Sequence, residues 1–83
     1  MPMSPEENAK YHRKAFRVTF DYLTAHFPPG MDAEWWQKAW DDLTEAGKQA
    51  GEGKLAIGLL VTVYEYLEHE FKLRRDLNAD AEH

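Results

Sequence analysis

The chain contains no cysteine and a single serine, Ser4. The first absence excludes a disulfide framework, a cysteine-based zinc site and thiol chemistry. The second leaves nucleophilic catalysis little to work with, and Ser4 stands where a helix cap is needed. The threonines Thr19, Thr24, Thr44 and Thr62 have no catalytic signature around them, and HExxH, P-loop and GxGxxG patterns are missing. No enzymatic activity is expected. The longest apolar run, Leu55 to Val63, is interrupted by Gly58 and Thr62. It falls far short of the roughly 20 residues a membrane span needs. The opening MPMSPEENAK has no apolar segment of the secretory type, so a cytoplasmic protein is expected. Charge of one sign is not concentrated either. A net charge of −5 argues against a wholly electrostatic nucleic-acid binder, and the acidic residues are spread rather than arrayed as in a DNA mimic.

What is present is apolar and aromatic. The chain of 83 residues is 43% hydrophobic and 13% aromatic, with three Trp, four Tyr and four Phe. That composition belongs to a folded domain rather than a disordered one. A single domain over residues 1–83 is near the size at which one core becomes marginal, and large aromatics raise the area buried per ordered residue. There are no internal repeats, low-complexity tracts or linkers. Residues 1–3 and 78–83 are expected to be disordered.

Three helices are expected, over about 4–26, 32–50 and 54–77. Ser4 can cap the first, Pro5 suits its first helical position and Glu7 completes a capping box. Phe27-Pro28-Pro29-Gly30 stops it. Asp32 caps the second, and Met31 is placed to staple onto Trp36. Gly51-Glu52-Gly53 ends that helix and makes a tight turn into the third. Short connections give an all-α, up-down-up three-helix bundle with its outer helices parallel. The competing arrangement is two long helices and a lid that complete their core as a dimer. A strand over Ile57 to Val63 agrees with the β-branched residues there, but the flanking sequence keeps helical period.

The third segment is the centre of this plan. Ala56, Leu60, Val63, Tyr64, Leu67 and Phe71 recur at helical spacing on one face. Leu55, Leu59, Tyr66, Leu73 and Leu77 form a second stripe about 100° around the helix. The first helix likewise has two apolar stripes, Ala9, Phe16, Phe20, Leu23 and Phe27 beside Tyr11, Ala15, Val18 and Tyr22. Both are expected to feed the core. Trp36, Ala39, Trp40, Leu43, Ala46, Gly47 and Ala50 make the single stripe of the second helix, flanked by Trp35.

Candidate chemistry follows from what these stripes leave over. Glu65, Glu68, His69 and Lys72 share a polar edge. A helical di-metal site wants Glu three residues before His, whereas Tyr66 precedes His69 and Ala9 precedes His12 at that spacing. No metal or cofactor is expected, and Glu68–Lys72 and Lys72–Asp76 ion pairs account for the edge. Arg74 and Arg75 are read as cations near a helix C-terminus. Lys10, Arg13, Lys14 and Arg17 lie on one face of the first helix. They are either a solvated edge or a short nucleic-acid contact. The expected protein interface combines Trp35 and Trp40 with Leu55, Leu59, Tyr66 and Leu73. One thin bundle will not hide three tryptophans and two leucine stripes, and an outward apolar patch marks association. A homodimer is the commonest solution.

Phe27-Pro28-Pro29, Trp35-Trp36 and the run from Leu60 to Phe71 also resemble small all-helical proteins of phages and conjugative elements in Gram-positive bacteria. The resemblance spans about Tyr22 to Lys72 and is carried by a turn, core aromatics and a core helix. It implies an accessory protein of a bacterial cytoplasm, with no activity to assign to any residue.

Overall fold

A computed structural model describes residues 4–81, with side chains described for residues 4–77. Three helices, α1 (Pro5–His26), α2 (Ala33–Gln49) and α3 (Lys54–Ala81), pack against one another as an all-α three-helix bundle, and no strand occurs among the described residues. The segment Ile57 to Val63 is helical throughout.

The helix starts follow local chemistry. The Ser4 hydroxyl accepts from the Glu7 backbone N–H at 3.2 Å and donates to the Glu7 carboxylate at 3.2 Å. The Asp32 carboxylate accepts from Trp35 N–H at 2.7 Å. Each cap is worth on the order of 1 kcal/mol. α2 ends in a Schellman turn, with Glu52 N–H donating to Gly47 C=O and Gly51 N–H to Lys48 C=O. Gly51 takes φ 91° there, in the left-handed region that a glycine enters without steric cost.

The core is built from small residues. Ala15, Ala39, Ala46, Ala50 and Ala56 are buried with Leu43, Leu60, Leu67 and Tyr22. Alanine faces let helices approach closely, and the larger side chains fill the flanks. Two tyrosines close the remaining polar gaps. The Tyr22 hydroxyl donates to Ala39 C=O at 2.7 Å, tying α1 to α2, while the Tyr11 hydroxyl accepts from Ala56 N–H at 3.3 Å at the head of α3. Burial pushes the Tyr22 phenol well above its ordinary pKa, with the Tyr64 and Asp42 charges adding to the effect.

Gly53 lies against the Tyr11 ring, and a Cβ at this position would overlap it. Gly53→Ala is therefore expected to displace Tyr11 and break its bond to Ala56. Overpacking of this kind costs about 1–3 kcal/mol. A urea midpoint unchanged from the parent would show that Tyr11 moves freely.

Several expectations are revised by the packing. α3 continues to Ala81, so residues 78–81 are helical; residues 1–3, 82 and 83 lie outside the described residues. Met31 is exposed, while Trp36 packs edge-on against Tyr64 and Phe71. Arg74 does not sit at a helix terminus. Its guanidinium lies 5.3 Å from the centre of the Phe27 ring. Among the described residues the salt bridges are His26–Asp42, Lys38–Asp42 and Arg75–Asp76, and Glu68–Lys72 and Lys72–Asp76 are not among them.

The largest revision concerns α1. Its buried face is Ala15, Thr19 and Tyr22, with Tyr11, Val18 and His26 beside them. The more hydrophobic stripe faces outward: Ala9 is exposed, Phe16 is 57%, Phe20 66% and Phe27 39% exposed, and Leu23 alone is half-buried. Thr19 belongs inside because its hydroxyl donates to Ala15 C=O at 2.7 Å. Small residues win the helix contact, and the phenylalanines are left on the surface.

Candidate protein-interaction face

The outward stripes of α1 and α3 meet. Phe27 stacks on Tyr66 with centroids 6.0 Å apart and planes 9° from parallel. A cleft of about 310 Å³ between the helices is lined by Leu23, Thr24, Phe27 and Tyr66. Phe16 and Phe20 share the Phe27 side of α1, and Leu59, Leu73 and Leu77 share the Tyr66 side of α3 by helical spacing. Tyr66 and Leu73 are exposed, Leu77 is 68% exposed, and Leu55 and Leu59 are half-buried. α2 covers the opposite side of α3, where Trp36 meets Tyr64 and Phe71. The result is one aromatic and aliphatic face along α1 and α3, without α2 over it.

At one border the Arg74 guanidinium rests on Phe27, and its buried Nε has no hydrogen-bond partner. The cation–π contact is worth about 0.5–1 kcal/mol when partly solvated. Toward the start of α3, a shallow groove of about 610 Å³ is lined by Lys54, Leu55, Gly58, Leu59 and Thr62. Cβ placed on Gly58 meets no atom within 4 Å.

Of the residues expected at an interface, Leu55, Leu59, Tyr66 and Leu73 lie on this face, and the tryptophans do not. Trp40 is exposed but packs edge-on against Tyr64 on the α2 side of α3. Trp35 is half-buried between α1 and α2, 6.0 Å from the His26 ring. Phe16, Phe20 and Phe27 lie on this face instead. The signal for them was present in the sequence: α1 has more apolar surface than two partner helices can cover.

The cations Lys10, Arg13, Lys14 and Arg17 are all exposed and line a cleft of about 640 Å³ beside Val18, Asp21 and Gln49. Asp21 places one negative charge among the four. This cleft opens on α1 toward α2, away from the aromatic face.

A polar clamp joins α1 to α2 nearby. His26 Nδ1 is 2.7 Å from Tyr22 C=O, and its Nε2 is 2.9 Å from an Asp42 carboxylate oxygen that Lys38 also reaches at 3.0 Å. The His26 hydrogen bond, then the Lys38 hydrogen bond, holds the Asp42 carboxyl below its ordinary 3.8. The sign follows from linkage. A depressed folded-state pKa contributes stability that is present above pH 3.8 and is lost as pH falls through the lowered value. Asp42→Asn is expected to flatten that acid limb, read as urea midpoints between about pH 5 and 2. An unaltered acid limb would show the carboxylate adds nothing. The pair ties the end of α1 to the middle of α2.

Among the described residues no cluster of three or more His, Asp or Glu is placed to hold a metal ion, and no helix is long and apolar enough to cross a membrane. Comparisons with known protein families, with curated proteins and with solved structures find no match.

Proposed function

We propose that this chain is a non-enzymatic helical interaction protein that self-associates through the α1/α3 face. One observation carries the reading. The most hydrophobic stripe of α1 and the second stripe of α3 lie together on the surface, with Phe16, Phe20 and Leu77 each more than half exposed. Scattered apolar residues are ordinary on a protein surface, but a contiguous patch of large ones marks association. The resemblance to small helical proteins of phages and conjugative elements supports an accessory role in a bacterial cytoplasm. Light scattering on a sizing column at two concentrations tests the proposal. The expected mass is twice the 9.7 kDa of the chain. A single-chain mass at both concentrations would remove self-association.

The second reading is a nucleic-acid accessory factor. It is favoured by the convergence of Lys10, Arg13, Lys14 and Arg17 on one cleft. It predicts binding that weakens steeply with salt and is lost when Arg13 and Arg17 are replaced by Gln. The absence of a mobility shift with DNA or RNA at low salt would exclude it.

A further inference from the structure

We infer that the occupant of the apolar face is a second copy of the same chain, with the two α3 helices antiparallel and Tyr66 on the two-fold axis. The inference rests on the self-association proposed above and adds its geometry.

The spacing of the outward stripe is palindromic. Leu59 and Leu73 each lie seven residues from Tyr66, and Leu55 and Leu77 each lie eleven. A two-fold axis through the Tyr66 level therefore sets Leu59 against Leu73 of the second copy, Leu55 against Leu77, and Tyr66 against itself. This is the self-complementarity that an isologous dimer needs.

Knobs and hole also correspond. Beyond Arg74 the described side chains of α3 are all exposed, so this end carries Leu77, with Leu73 just before it, as uncovered knobs. The groove lined by Leu55, Gly58, Leu59 and Thr62 lies at the other end of the same stripe. Antiparallel pairing seats the C-terminal end of each α3 on the groove of the other. Gly58 has no structural reason within the monomer, since a Cβ there meets only open space. A glycine inside a helix is unfavourable by roughly 0.5–1 kcal/mol against alanine. Close approach of a second helix gives it a reason.

Charge favours the same orientation. Lys54 and Asp76 lie on the outer flank of the stripe, twelve residues before and ten residues after Tyr66, so they fall within about one turn of one another across the axis. Antiparallel pairing brings Lys54 of each copy to Asp76 of the other, whereas parallel pairing would set Lys54 on Lys54 and Asp76 on Asp76. The outer flank near the axis brings Glu65 toward both Glu65 and His69 of the second copy, so it is the least favourable part of the seam. α1 of each copy lies along the inner flank, where Phe20 and Phe27 become covered.

The chain has no cysteine, so single cysteines report pairing cleanly. A disulfide needs Cα atoms about 4.4–6.8 Å apart. In the antiparallel dimer the two copies of position 59 are fourteen residues apart along the helix, roughly 21 Å. Tyr66→Cys alone should cross-link under mild oxidation. Leu59→Cys and Leu73→Cys should each fail alone and cross-link when mixed, with helical content checked by circular dichroism. Light scattering of the parent protein accompanies these assays. Efficient cross-linking of Leu59→Cys alone would mean parallel pairing, overturning the geometry while leaving self-association intact. A dimer by scattering without any of these cross-links would place the interface elsewhere. A monomer by scattering would overturn both, and the face would then await a helix of a different protein.

Discussion

Replacing Leu59 and Leu73 together by glutamate is expected to reduce the proposed dimer to single chains while most of the helical circular dichroism survives. Both positions lie on the outward stripe: Leu59 is half-buried in the monomer and Leu73 is 45% exposed. A glutamate there remains solvated in a free chain, at a cost of lost packing around Leu59. In the assembled face it is desolvated against leucine, and an unpaired buried charge costs several kcal/mol. Two substitutions on each chain repeat that cost four times across a two-fold interface. Even a nanomolar dimer, worth about 12 kcal/mol, does not withstand it. Light scattering reads the mass and far-ultraviolet circular dichroism reads the helix. Loss of both together would place Leu59 and Leu73 in the monomer core. Retention of the dimer mass would place the interface elsewhere.

How far this face was legible in the sequence depends on which interactions decide each element. Capping and stopping are local, so Ser4, Glu7, Asp32 and the Gly51 turn were readable from neighbours three to five residues away. The buried stripe of α3 was readable for a similar reason, because Ala56, Leu60 and Leu67 keep strict helical spacing and all become fully buried. The end of α3 was not, since Asn78 to Asp80 read as a polar tail; no glycine or proline stands between Leu77 and Ala81 to stop the helix. The choice between the two stripes of α1 was the hardest. Hydrophobicity ranks Phe16, Phe20 and Phe27 above Ala15, Thr19 and Tyr22, yet the latter are buried. Helix approach is limited by side-chain size, and the polar atoms of Thr19 and Tyr22 find backbone partners that a sequence does not display. The His26–Asp42 clamp was hidden for the same reason, its partners being sixteen residues apart. The bulky apolar stripe that the core leaves out is the surface that the proposed association would bury.

The complementary experiment removes the core instead of the face. Leu60→Ala is expected to cost about 2–5 kcal/mol, the range for emptying a fully buried leucine site. Leu60 has no exposed surface and packs in one cluster with Tyr22, Leu43, Ala46 and Leu67. Collapse of the site is limited, because Tyr22 is tied to Ala39 by its hydroxyl and Ala46 offers no side chain to swing inward. Domains as a class are stable by about 5–15 kcal/mol, and a chain of this size stands at the lower end. The urea midpoint should therefore fall by a large fraction of its value with little change in slope. Leu60→Met, which nearly conserves volume, should cost less than about 1.5 kcal/mol. The two variants together separate core from interface. If the dimer holds the fold together, Leu60→Ala should lower the midpoint at every protein concentration and leave its rise with concentration in place, since assembly stabilises by mass action. Leu59→Glu with Leu73→Glu should abolish that rise. A Leu60→Ala variant as stable as its parent would mean that α2 does not close over α3 at this level, and the division between a buried and a docking stripe on α3 would be lost with it.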